Sequence, residues 1–422
     1  MHGLRPRLIA MDCVDSGRFD VLRWLSRPAS RAMWWALAAV LGAGVVRTGL
    51  QAPDGGMDNA IVIKAARTWL EGGSPYDDPH FLYLPSAVLA AVPEVLLPSW
   101  LLRYAAPALV TGALVAGWVC ALRLYGLGLR SRYAALGLLA LALGFAPFGH
   151  LIVLANWTVV AAAALPAALL LAHRGRWTAA GAVIGAAIAV KPLLVPVLLL
   201  FLFARRWRAL AAGVLVPAAA SGLAALAMPD PAGFFTRTLP FLFKGDDNFV
   251  RLYEASPAAV LPRLGVPQGA ASLLALACAA AGVWCAWRRW GRGDAGNGGW
   301  GKASPARLGE SAVMVMLAAF LVSRPSYDHY LLVVVPLLLA GAGQEGAPAR
   351  MAGFWVAMVP QVPGFGWPFL ETPYGTRRAF KDAFTLCVLA VTVGMRCVRR
   401  DRVPLPRART LEVAEPQGER AF

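Results

Sequence analysis

The chain has 422 residues, 58% of them hydrophobic and only 15% charged, with a formal net charge of +17. A soluble domain carries nearer a quarter charged residues, so this composition excludes an ordinary water-soluble globule. The Lys and Arg residues fall in short clusters between apolar runs, not along one polar face, which excludes nucleic acid as the reason for the basic balance.

Residues 1–32 form a basic leader. The first apolar run, from Met33 to about Leu50, has no small-residue cleavage site and reads as a retained span, not a secretory signal peptide. The stretch 55–78, GGMDNAIVIKAARTWLEGGSPYDD, follows. Ile61, Ala65, Ala66, Trp69 and Leu70 fall near one helical face there, with Lys64, Arg67 and Glu71 on another, so the spacing predicts an amphipathic helix lying on the membrane interface. The segment 81–97, FLYLPSAVLAAVPEVLL, is short and proline-bearing and reads as a span or a re-entrant helix. Further spans are expected at about 104–122, 133–149, 155–172, 177–190, 192–204, 208–228, 270–288, 310–325, 328–343, 351–369 and 383–398. The fold expected is therefore an all-α bundle of about 11–13 transmembrane helices, occupying 33–398, because only helices satisfy their own backbone in lipid.

Basic clusters at Arg23–Arg31, Arg123–Arg132, His173–Arg176, Arg205–Arg208, Arg288–Arg307 and Arg396–Arg407 set the orientation. Placing them all inside puts both termini in the cytoplasm, including the tail 399–422, and makes 51–80 and 229–269 external loops. The Gly-rich piece 291–307 reads as a flexible cytoplasmic linker. The six cysteines lack CxxC spacing and mostly lie in apolar runs, so they read as small buried hydrophobes.

Polar interruptions collect on the external side. Asp58 reads as a general base or as the N-cap of its helix. Tyr83 in Tyr-x-Pro reads as a substrate contact or an interfacial tyrosine at a proline kink, and Asn156 in ANWTV as a site residue or a helix–helix hydrogen bond. Lys191 in AIAVKPLL stands between two short apolar half-segments and calls for an anion, water or an outside position; a phosphate is a natural partner for a lysine. In RPSYDHYLL, Asp328 and His329 open a span, either as a proton-handling pair or as a polar cap beside a snorkelling Arg324. Arg377 and Arg378 in TRRAFKD sit where the positive-inside rule would not place them, which makes them anion-binding candidates; Arg237 in FFTRTLP and Asp247 in GDDNF add two further polar candidates in the long loop. The chain has no GxxxxGK[ST], no D-x-D, no G-x-S-x-G and no HExxH, which excludes a P-loop pump and several hydrolase and metal-dependent transferase classes.

The early Asp58, Gly72-x-x-x-Tyr76, Tyr83-x-Pro85, AxxxKP ending at Pro192, RRWRALAAG, FFTRTLP and SxPSYDHY recur in an order that resembles the GT-C membrane glycosyltransferases that use polyprenyl-phosphate sugars. The resemblance covers about residues 50–390. It is nearest to the actinobacterial group of arabinofuranan 3-O-arabinosyltransferases and polyprenol-phosphate-mannose-dependent α-mannosyltransferases. It implies an inverting transfer of a mannosyl or arabinofuranosyl residue to a glycan or glycolipid at the external face of the plasma membrane. Asp58 would be the catalytic base, with His329 near the acceptor and Lys191, Arg377 and Arg378 on the donor phosphate. Tyr83, Asn156, Arg237, Asp247 and Asp328 would bind substrate. No metal or other cofactor is implied, and membrane lipids, not nucleic acid, are the expected surroundings. A secondary transporter or lipid-linked-glycan flippase is the alternative, because intramembrane Lys and His also mark transport paths.

Overall fold

The structure is a computed structural model that describes residues 21, 23–52, 55–244, 253–292, 303–364 and 378–399. It is all-α. Among the described residues the extended pairing is confined to an isolated bridge between Pro28 and Ser131. Helix α1 (Arg31–Gln51) starts at Ser30, whose side chain accepts from the Met33 amide. Helix α2 (Met57–Leu70) and α3 (Pro85–Val95) pack on each other, and α4 (Ser99–Leu124) supports α1. Then α5 (Arg132–Gly144) and α6 (Ala146–Leu154) meet at a 73° bend. Phe145 caps α5 in extended conformation and Pro147 sits in the first turn of α6, so the chain stops one helix and starts another within two residues.

Helices α7 (Thr158–His173), α8 (Trp177–Val190), α9 (Leu198–Phe203) and α10 (Trp207–Leu226) follow, with a 3₁₀ segment Pro192–Val197 leading into α9. Pro192 forces Lys191 out of helical geometry (φ −149°, ψ 122°), and that ends α8 at Val190. Helices α8 and α10 touch at Gly181, where an added Cβ would lie 2.1 Å from the Ala209 carbonyl oxygen. Such close backbone approach is how helices associate in lipid without a hydrophobic drive between them. The second half holds α11 (Gln268–Gly291), the largely buried α12 (Pro305–Val322), a 3₁₀ segment Asp328–Val333, α13 (Val335–Ala340), α14 (Ala352–Met358) and α15 (Arg378–Val398).

Among the described residues five helices are long and apolar enough to cross a membrane: α1, α4, α10, α11 and α12; the bent α5–α6 pair makes a sixth if it counts as one span. Length and composition thus qualify fewer spans than the 11–13 expected. The expected windows at 155–172, 177–190, 192–204 and 328–343 do hold apolar helix, but in pieces of 10–17 residues, as does 85–95. At 1.5 Å per residue, a 14-residue helix reaches about 21 Å, short of a bilayer core of about 30 Å. The chain is a polytopic membrane protein in which broken and half-length helices stand beside full ones.

The basic clusters lie together. Ala29 donates to the Arg130 carbonyl and Arg132 to that of Arg27, both at 2.8 Å, so the lead-in to α1 pairs with the α4–α5 turn. Arg206 lies over the Trp177 ring, Trp177 packs edge-on against Trp290, and Arg307 lies over Trp290. At this end α11, α12 and α15 are joined by a buried cluster. Glu310 accepts from Arg289 Nε at 2.5 Å and from Arg396 Nε at 3.0 Å. Lys191 follows the end of α8 opposite Trp177, and Asp328 lies beyond the end of α12 opposite Glu310.

Candidate active site

Asp58 is in the first turn of α2, but it does not cap it. The cap is Gly56, which makes no side-chain cap bond, and the Asp58 carboxylate reaches across to another element. The two glycines before it explain how. Gly55 and Gly56 have φ of 80° and 112°, and a Cβ on Gly56 would lie 2.6 Å from the Leu154 carbonyl oxygen. Only glycine allows that backbone geometry together with that contact, so the start of α2 lies directly on the end of α6. There Ala155 turns left-handed (φ 45°, ψ 44°) and Asn156 follows.

Asn156 uses its whole amide. Its Nδ2 donates to Asp58 Oδ2 at 2.5 Å, while Oδ1 accepts from Lys191 Nζ at 2.8 Å and from the Thr158 amide at 2.7 Å. Lys191 Nζ also donates to Thr158 Oγ1 at 2.9 Å and sits over the rings of Tyr83 (5.6 Å) and Tyr330 (5.3 Å). Among the described residues no carboxylate comes within 4 Å of this ammonium, so its charge is held by neutral groups and rings. Behind Asp58, Asn59 accepts from Trp157 Nε1 at 2.7 Å and donates to Glu94 at 2.6 Å, fastening α2 to α3 and to the start of α7.

Two cavities meet at Asp58. The first, about 230 Å³, is bordered by Asp58, Tyr83, Asn156, Lys191, Arg324 and Tyr330. The second, about 330 Å³, is bordered by Asp58, His150, Asp328, His329, Arg378 and Asp382. Tyr327 lines both. In the second cavity the buried Asp328 carboxylate is saturated: Oδ1 accepts from the His329 amide at 2.7 Å, and Oδ2 lies 2.5 Å from His150 Nδ1 and 2.7 Å from Arg378 Nη2. Arg378 is thus balanced by Asp328 and, at 3.8 Å, by Asp382. Asp58 Oδ1 has no protein partner among the described residues, which leaves it open to a proton donor from either cavity.

Of the residues singled out in the sequence, Asp58, Tyr83, Asn156 and Lys191 gather at the first cavity, and Asp328, His329 and Arg378 at the second. Lys191 and Arg378, expected on one phosphate, stand in separate cavities because Asp328 and Asp382 hold the arginine. Arg237 borders neither cavity; it is paired with Asp77 and Asp230 in the loop region, where the hydrogen bonds it donates to both acids raise its basicity further. Arg377 and Asp247 lie outside the described residues. Nearby, burial raises the Asp78 carboxyl, but the Lys64 ammonium and the His80 amide outweigh it and hold Asp78 below its usual value. The sequence did not single out His150, Asn59, Trp157 or Tyr330. His150 carried one signal: it is one of five histidines in the chain, set in an apolar run.

The sequence model for Glycosyltransferase family 87 matches residues 81–298, just over half of the chain. The chain belongs to glycosyltransferase family 87. The segment matched to family 87 carries Tyr83, His150, Asn156 and Lys191, while Asp58, Asp328, His329 and Arg378 lie outside it. Among curated proteins, an alpha-(1->3)-arabinofuranosyltransferase of Mycobacterium tuberculosis is 35% identical over 176 residues, 41% of each chain. The alpha-(1->3)-arabinofuranosyltransferase of Corynebacterium glutamicum is 31% identical over 230 residues, 52% of this chain and 54% of that one. The chain matches about half the length, or less, of these relatives. No solved structure matches.

Proposed function

We propose that this family 87 chain is an inverting membrane glycosyltransferase that takes a sugar from a polyprenyl-phosphate donor, with Asp58 as general base. The observation that carries this reading is the Asp58–Asn156–Lys191 chain of hydrogen bonds at the wall between two cavities. An acceptor hydroxyl in one cavity gives its proton to Asp58 Oδ1 as its oxygen attacks the anomeric carbon. The bond from that carbon to phosphate breaks, and the leaving phosphate takes the electron pair against Lys191. A single displacement of this kind inverts the anomeric configuration. Proton removal by a placed carboxylate contributes on the order of 10²–10⁴ in rate, and a preorganised cation adds to it where charge develops. Cationic side chains suffice for the leaving group, so no metal enters the proposal.

Arabinofuranose is the donor sugar we favour over mannose, because the relatives named above are both alpha-(1->3)-arabinofuranosyltransferases. The acceptor is then a glycan or glycolipid with a free 3-hydroxyl. Gathering of the basic clusters at the opposite end supports a site on the external face of the plasma membrane under the positive-inside rule. In this arrangement 33–398 is the catalytic bundle, 51–80 and 229–269 are external, and 1–32 and 399–422 are cytoplasmic.

The test uses purified protein in lipid nanodiscs, radiolabelled polyprenyl-phosphate arabinofuranose or mannose, and an octyl arabinofuranoside acceptor. Labelled product from the arabinofuranosyl donor is expected. Absence of product with both donors would sink the enzyme reading.

A further inference from the structure

The displacement described above makes no use of one imidazole. Two histidines border the second cavity, and they differ in access. His329 is enclosed, 3% exposed, and its Nε2 is buried with no hydrogen-bond partner; the ring is stacked on Tyr327 and edge-on to Tyr330. The His150 side chain is 39% exposed. Its Nδ1 is occupied by Asp328, and its Nε2 has no protein partner among the described residues.

Asp328 fixes which ring nitrogen is left for a ligand. Two atoms 2.5 Å apart need a proton between them, and the carboxylate, already an acceptor from the His329 amide and Arg378, has none to give. Nδ1–H therefore donates to Asp328, with Arg378 Nη2 2.8 Å from the same nitrogen, and Nε2 is the ring atom that faces a ligand. The other carboxylates bordering this cavity have other partners or roles. Asp328 is saturated, Asp382 accepts from Gln361 at 2.8 Å, and Asp58 is the base. His150 also shares the α6–Asn156 segment that holds Asp58, so the base and the imidazole are set by one rigid piece of backbone.

We infer that His150 binds the acceptor sugar: its Nε2 hydrogen-bonds the hydroxyl next to the one that is glycosylated. This rests on the transfer reading above. For a 3-hydroxyl nucleophile on a furanose, the neighbour is the 2-hydroxyl. Arg378, whose Nη2 lies 2.8 Å from His150 Nδ1 and 2.7 Å from the same Asp328 oxygen, offers further donors at the adjoining wall. His150 is then a specificity-determining contact, and the second cavity takes a neutral polyol. The phosphate is left to Lys191 in the first.

The experiment compares octyl α-D-arabinofuranoside with its 2-deoxy analogue as acceptors, with polyprenyl-phosphate arabinofuranose as donor. Wild type should prefer the hydroxylated probe by about tenfold in kcat/KM, the size of one hydrogen bond between a sugar and a placed side chain. His150→Ala should lose that tenfold on the hydroxylated probe, chiefly through acceptor KM, and should no longer distinguish the two. His150→Gln, whose amide still hydrogen-bonds a hydroxyl, should recover part of the preference, and equal melting temperatures of the three proteins separate binding from folding. If His150→Ala keeps the wild-type preference, or loses kcat equally on both probes with KM unchanged, the assignment of His150 is overturned. A wild-type protein that transfers to neither probe overturns the transfer reading instead, and this contact with it.

Discussion

Two charge clusters of this protein, one toward each end of α12, both set acidic side chains against basic ones and differ in what they leave unmatched. At one end Glu310 has an arginine on each oxygen, Arg289 and Arg396, and none of the three borders either cavity. About 18 Å along the helix, beyond Val322, the Asp58, Lys191 and His150 groups each keep a polar atom or a charge unmatched. A carboxylate with both oxygens satisfied fastens α11, α12 and α15. One with an oxygen to spare can take a proton. Burial and charge do not separate a structural cluster from a reactive one; what each atom still lacks does.

That comparison can be broken by substitution. Asp58→Asn keeps the bond to Asn156 possible but removes the base, and a loss of about 10³-fold in transfer is expected with the melting temperature unchanged. Lost stability instead would move Asp58 into the structural class. Glu310→Gln should do the reverse. Leaving two arginines buried without their counter-charge is expected to cost about 3–4 kcal/mol in denaturant unfolding, while transfer per folded molecule is retained. Lys191→Met sharpens the charge argument: donor KM is expected to rise about 30-fold with acceptor KM unmoved, and an equal rise in both would separate the lysine from the phosphate. Gly56→Ala carries the smallest expected effect, about tenfold in kcat with about 1–2 kcal/mol of destabilisation, because the methyl must push α2 off Leu154 and carry Asp58 away from Asn156.

The sequence showed the membrane class and most helix breaks, because both are local. The stop at Val190 follows from Pro192, and the apolar windows follow from hydropathy. Asp58, Asn156 and Lys191 also stood out singly, each as a polar residue where apolar ones were expected. Their bonding to one another was not legible, since it depends on Gly56 lying against Leu154 across nearly a hundred residues. His150 was lost inside an apolar run because its meaning comes from Asp328, 178 positions away. Arg237 failed in the other direction. It read as a polar, substrate-binding candidate in a loop, and only the fold brings Asp77 and Asp230 to it. Glu310 read as the edge of a span, and Arg289 and Arg396 as orientation signals, until the structure joined them.

The break between Val190 and Pro192 has a consequence in entropy. A lysine side chain confined to one rotamer gives up on the order of 2 kcal/mol of conformational freedom. Lys191 is already confined by Asn156 and Thr158 before any ligand is present, so the loss is charged to folding. A phosphate that meets this ammonium does not have to order it. Relative to a mobile lysine at the same place, that difference is on the order of tenfold or more in Kd.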